Sequence, residues 1–118
     1  MPTSRERCEH ICTAIDATIA QITHRSLSNF LTDEALRSAC FYRLIVIGEA
    51  ANLLLAVLPR ALMVGIPNLD NSLRYSYRLR TSLAADYHQV DFKLVWNTIQ
   101  AELRPLRVDV EAVKRLLP

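Results

Sequence analysis

Gly48 and Gly65 are the only two glycines among the 118 residues of this chain, where a usual share would be about 7%. Tight turns and β-hairpins draw heavily on glycine for positive φ, and two glycines leave little material for them. Leu, Ala and Arg, all good helix formers, are abundant instead. The chain therefore reads as all-α. With 51% apolar residues it is expected to form a single domain over residues 1–118, large enough to bury roughly two-thirds of its unfolded surface.

Fourteen basic and twelve acidic residues leave a net charge of +2. That field is too weak to argue for nucleic acid by itself, so any electrostatic site must be a local cluster. Cys8, Cys12 and Cys40 fit neither an even disulfide framework nor a CxxC knuckle. They read as small buried apolar residues, and a reducing cytoplasm is the expected location. The N-terminal Met-Pro-Thr-Ser-Arg-Glu-Arg-Cys-Glu lacks an apolar signal core. The most apolar run, Leu44 to Leu58, falls short of the ~20 residues of a spanning helix and contains Glu49 and Asn52. No membrane association is expected from it.

Helical periodicity organises the chain. Cys8, Ile11, Cys12, Ile15, Ile19 and Ile22 form one stripe of a first helix from about Ser4 to His24. Ser26 to Leu31 reads as a polar break, and Thr32 as the cap of a second helix with Asp33 and Glu34 in its first turn. That helix reaches about Leu58, with a stripe of Leu36, Cys40, Leu44, Ile47, Ala51, Leu54 and Leu58. Its other side, with Ile45, Gly48 and Asn52, is too apolar for a solvated face, and is expected to meet another subunit with Gly48 allowing close approach. Arg43 falls within the stripe, as a packed stem with its head free to pair or snorkel.

Pro59 to Pro67 reads as a connector. A third helix opens near Asn68 to Asn71 and runs to about Ala84. At about 100° per residue, Leu69, Leu73, Ser76, Arg80 and Leu83 share a sector, while Arg74 and Arg78 point away. An inward Arg80 needs a partner, since an unpaired buried charge costs several kcal/mol. Glu49 or Asp86 would serve, and so would a substrate phosphate. Position 85 would point well away from Arg80 if the helix reached it, so the two act together only if the helix ends between them or a second chain completes the site. Asp91 caps a last helix whose face is Phe92, Val95, Ile99, Leu103, Leu106, Val110, Val113 and Leu117, flanked by Trp96. Pro105 removes a backbone donor there and predicts a kink near Ala101 to Arg104. The resulting fold is an antiparallel up-and-down bundle of four to five helices.

Chemical motifs are sparse. No HExxH, glycine-rich phosphate loop, GxSxG or paired-carboxylate pattern is present, His10, His24 and His88 are scattered, and neither a metal nor another cofactor is expected. What stands out is a basic, aromatic edge of Arg74, Tyr75, Tyr77, Arg78, Arg80, Tyr87 and His88, suited to phosphate contacts and base stacking. A solvated helix face is the plainer account of Arg74 and Arg78.

The segment Arg80-Thr-Ser-Leu-Ala-Ala-Asp-Tyr87, with Val90-Asp91-Phe-Lys-Leu-Val95-Trp96 and Leu103-Arg-Pro105-Leu106, resembles the C-terminal half of HEPN-domain toxins of the HepT type. Phe30-Leu-Thr-Asp33, Arg43-Leu-Ile-Val-Ile-Gly48-Glu49-Ala50-Ala51 and Pro67 extend the resemblance over nearly the whole chain. It implies a homodimeric helical bundle in which paired motifs, Arg then four to six residues then His-x-Tyr, line a cleft that cuts RNA without a metal. Arg80 takes the arginine position and Tyr87 the tyrosine position, but Ala85 stands where the histidine belongs. Thr81 follows the arginine in place of the usual asparagine. Arg74, Tyr77, Arg78, Thr81 and His88 are the implied RNA contacts.

Alanine can neither take the 2′-hydroxyl proton nor protonate a leaving oxygen. Loss of such a group commonly removes ~10²- to 10⁴-fold of rate, so the resemblance implies a ribonuclease that is crippled as written. It also implies a partner, a minimal nucleotidyltransferase (MNT) antitoxin that binds the toxin or adds AMP to Tyr87, which should then be solvent-accessible at a dimer cleft. The competing reading is a non-catalytic dimeric helical module regulated by that nucleotidyltransferase.

Overall fold

Three of the four long helices begin at a side-chain cap supplied by the sequence. Thr3 accepts from the Glu6 backbone N–H and Glu6 accepts in return from Thr3, satisfying two of the donors a helix start leaves open. Helix α1 follows over Ser4–Ile22. Asp33 caps α3 (Glu34–Val57) by accepting from Leu36, and Asp91 caps α6 (Phe92–Leu116) by accepting from Lys93 and Leu94. The fourth long helix, α5 (Leu69–Ala85), starts instead at Asn68 in the left-handed region, φ 69°, which asparagine tolerates. Two short helices, α2 (Leu27–Thr32) and α4 (Arg60–Gly65), and a 3₁₀ turn at Tyr87–Gln89 complete this computed structural model, which describes residues 1–118.

The long helices alternate in direction, because residue numbers rise on one helix as they fall on its neighbour. Glu9 meets Lys114, Cys12 meets Glu111 and Asp16 meets Arg107 across α1 and α6. Glu49 meets Arg80 across α3 and α5, with Asn52 near Tyr77 and Ala56 near Arg74. The result is the expected all-α up-and-down bundle, with six helices of which four are long. The apolar stripes are its core. Ile11, Ile15, Ile47, Leu54, Leu69, Leu73, Val95, Ile99, Val110 and Val113 are all essentially inaccessible.

Cys8, Cys12 and Cys40 are free and buried, and burial pushes the Cys8 thiol up to about 11. They pack as small apolar side chains. Helix α3 is long and apolar enough to cross a membrane by length and composition, yet Leu36, Cys40, Phe41, Leu44, Ile47, Ala51 and Leu54 lie in the core. A helix packed on both sides reads as apolar nearly all round.

Four expectations are corrected. Ser26 to Leu31 is helical, because Ser26 and Asn29 form a reciprocal cap and the Phe30 ring is fully buried. The cap of α3 is Asp33, since the Thr32 hydroxyl bonds back to the Ser28 carbonyl at 2.8 Å. The Pro59 to Pro67 connector contains α4, whose Leu62 and Met63 pack against the core. Gly48 opens space within the chain: a Cβ there would lie 2.2 Å from Arg80 Cβ and 2.6 Å from the Ser76 carbonyl oxygen of α5. At Pro105, α6 continues without a break.

Candidate functional site

Helix α5 and the turn after it hold the motif residues, and α3 is the platform both rest on. Because Gly48 has no side chain, the Arg80 stem lies directly against the α3 backbone. The guanidinium then reaches Glu49, with Arg80 Nη2 2.8 Å from Glu49 Oε2. Of the two partners read from the sequence, Glu49 is the one used. The pair is partly open, with side chains 31% and 48% exposed, but Arg80 Nε is buried with no hydrogen-bond partner. Nη2 is therefore committed to Glu49 and Nε is enclosed, while the exposed remainder of the head is open to a further acceptor such as a phosphate oxygen.

Tyr87 occupies a different place. Its ring packs edge-on to Phe41 of α3 at 5.4 Å and lies 6.4 Å from Phe92 of α6. Phe41 and Glu49 are about 12 Å apart along α3 at ~1.5 Å per residue, so Arg80 and Tyr87 dock at separate levels. The Tyr87 hydroxyl is buried and unpartnered. The accessible phenol expected from the sequence is therefore corrected: most of the side chain is covered and its oxygen faces inward, because the aromatic cluster of Phe30, Phe41, Phe92 and Trp96 draws the ring in.

Ala85, the last residue of α5, is exposed. The helix thus does not end between positions 80 and 85. Five residues at about 100° each place them about 140° apart around the axis. Thr81 is exposed and its hydroxyl donates to the Tyr77 carbonyl at 3.1 Å. His88 is exposed, with its ring edge-on to Tyr87 at 5.4 Å.

Three of the expected RNA contacts come together. Arg74, Tyr77 and Arg78 line one surface groove with Asn52, Leu55 and Ala56. Arg74 is neutralised there by Asp70, Nε to Oδ2 at 2.9 Å. Tyr75, read from the sequence as part of the basic, aromatic edge, does not join them, because its hydroxyl lies 3.1 Å from Thr98 Oγ1 and ties α5 to α6. Nowhere do three His, Cys, Asp or Glu side chains gather in a way that could hold a metal ion.

Arg37 is the residue the sequence reading missed. It donates to the Phe30 and Leu31 carbonyls at 2.9 and 2.8 Å, closing the C-terminus of α2. Its guanidinium carbon sits 4.4 Å from the Phe92 ring centroid, a cation–π contact at the base of the cluster that holds Tyr87. A break assigned at Ser26 to Leu31 concealed the helix end that this arginine serves. Arg43, read as a packed stem, bonds through Nη1 to the Gln21 side chain of α1.

Compared with known proteins, residues 11–113 match the family model described as "Ribonuclease HepT-like". No curated protein and no solved structure matches the chain.

Proposed function

This chain belongs to the HepT-like ribonuclease family, and we propose that it is the scaffold of a metal-independent RNA-cleaving toxin whose site is completed across a homodimer. Arg80 binds the scissile phosphate, Tyr87 takes the motif tyrosine position from the Phe41 and Phe92 cluster behind it, and position 85 is the general acid or base position, held here by alanine. The observation that carries this reading is the continuity of α5 through Ala85. Arg80 turns in on Glu49 while position 85 faces solvent, so a single chain does not present both to one phosphate, whereas a second copy supplies the missing half. Imidazole is the side chain that titrates near neutrality, and its replacement by a methyl group leaves binding without proton transfer. The chain as written is inactive or nearly so.

The proposed partner is a minimal nucleotidyltransferase antitoxin, with Tyr87 as the AMP acceptor. An added phosphate would fill the space RNA needs. The buried Tyr87 hydroxyl sets a condition on this step: the turn at Tyr87–Gln89 must swing out of the Phe41 and Phe92 contacts first. That same burial favours the second reading, a non-catalytic dimeric module in which Arg80 and Tyr87 are structural.

Replacing Ala85 by histidine separates the two. The expected gain for Ala85→His is about 10²- to 10⁴-fold in RNA cleavage, within the usual span for a general acid or base, abolished again by Arg80→Ala. Absence of cleavage in Ala85→His with the dimer intact would favour the interaction module.

A further inference from the structure

One turn from the Arg80–Glu49 pair, the α3–α5 seam opens into a groove of about 550 Å³ lined by Asn52, Leu55, Ala56, Arg74, Tyr77 and Arg78. That lies within the ~300–1,000 Å³ of ligand clefts. Asn52 follows Gly48 by one turn and Tyr77 precedes Arg80 by one turn on antiparallel helices, so the groove starts about 5 Å along the axis from the arginine. Its polar side chains have unused capacity. The Asn52 amide and the Tyr77 hydroxyl have no partner in the chain. Arg78 makes one weak bond, from Nε to the Arg74 carbonyl at 3.5 Å, and no carboxylate pairs with it.

We infer that this groove is a subsite for one unpaired nucleotide of a single-stranded RNA, with a preference for adenine, beside the phosphate held at Arg80. The inference rests on the ribonuclease reading of that arginine. Leu55 and Ala56 provide an apolar floor and Tyr77 a ring on which a base stacks. An asparagine amide presents one donor and one acceptor side by side, which matches the N6 and N7 positions of adenine; uracil meets an amide only through N3 and O4 and lays a smaller ring on Tyr77, so the purine is favoured. Arg78 takes a flanking phosphate. A base within a duplex is stacked between its neighbours and cannot lie on this floor, so the groove selects single strands.

Anisotropy titrations of the full chain with labelled oligoadenylate, labelled oligouridylate and a blunt RNA duplex test this. Oligoadenylate is expected to bind about tenfold more tightly than oligouridylate, within the range for one bidentate contact, and the duplex most weakly. Asn52→Ala, a substitution that suits a helix, should weaken oligoadenylate more than oligouridylate and bring the two within about twofold of each other. Tyr77→Ala should weaken both single strands about tenfold, the scale of one lost base stack. Free AMP should compete only far above the oligonucleotide Kd. Equal affinity for AMP would assign the groove to a free nucleotide and overturn the RNA subsite. If Arg80→Ala loses RNA while Asn52→Ala and Tyr77→Ala bind like the parent, the subsite fails and the ribonuclease reading stands. If neither the parent nor Ala85→His binds any RNA, both fail.

Discussion

Along the α1–α6 seam, Asp16 accepts from both Nε and Nη2 of Arg107 at 2.6 and 3.0 Å, Lys114 reaches Glu9 at 3.6 Å, and Arg5 donates to the Lys114 carbonyl. Along the α3–α5 seam a single ion pair, Arg80 with Glu49, stands beside a buried Nε without a partner and beside an Asn52, Tyr77 and Arg78 that bond to almost nothing. Both seams join antiparallel helices over an apolar core. On the first, polar groups consume one another, and what remains is adhesion. On the second, a glycine brings the helices so close that the arginine is fixed at its stem and left partly unsatisfied at its head. Unspent hydrogen-bonding capacity at a rigid position is what a binding site requires.

Filling the glycine should break the comparison most severely. A Cβ at position 48 would meet Arg80 Cβ and the Ser76 carbonyl at distances no packing tolerates, and neither atom is the free end of a flexible chain. Gly48→Ala is expected to cost about 1–3 kcal/mol through overpacking, lowering Tm by roughly 5–15 °C, and to displace Arg80. Gly65→Ala is the control, since nothing lies within 4 Å of a Cβ there. Its Tm should hold or rise by a few degrees, since alanine gains up to ~0.5–1 kcal/mol over glycine within a helix. Equal losses in the two variants would mean that the seam does not depend on close approach.

The contrast between the seams was only partly legible in the residues. Stripes such as Leu36, Cys40, Leu44, Ile47 and Leu54 announced the core because burial repeats with the helical period. The same period correctly turned Arg80 inward. It could not say which neighbour Gly48 faces, because the pattern gives a face and not its partner, and so the close approach was assigned to another subunit. The phenol at Tyr87 was misplaced for a related reason. Phe30, Phe41 and Phe92 are far apart in the chain, and only their assembly creates the cluster that draws the ring inward. Short α2 and α4 were hidden by their polar and proline-flanked ends, where capping and a few core contacts outweigh the loop-like composition.

A smaller effect separates the two ion pairs. Glu49→Gln keeps the shape of the Arg80 partner but removes its charge. With both side chains a third to a half exposed, stability should change by no more than about 0.5 kcal/mol. RNA affinity should rise a few-fold, because the guanidinium no longer shares itself with a carboxylate. The matching change on the other seam, Asp16→Asn, should leave RNA affinity unaltered. Tighter RNA binding in Asp16→Asn would show that net charge, not the release of Arg80, accounts for the gain.

The smallest expected effect lies in the pH dependence of the α1–α6 seam. Hydrogen bonds from the Arg107 side chain hold the Asp16 carboxyl below the usual carboxylate range, with partial burial opposing them. A carboxyl whose folded pKa is depressed adds stability above its unfolded value, about 3.9, and loses that contribution as pH falls through the folded value. Asp16 is 54% exposed in this pair, so solvent screening limits the contribution to about 0.5 kcal/mol. Asp16→Asn should lower Tm by about 2 °C at neutral pH. The gap from the parent should shrink as pH falls below about 4, and close once the folded carboxyl is protonated. A Tm difference that persists unchanged in acid would assign the seam's strength to packing around Cys12 and Val110, and not to the charges that line it.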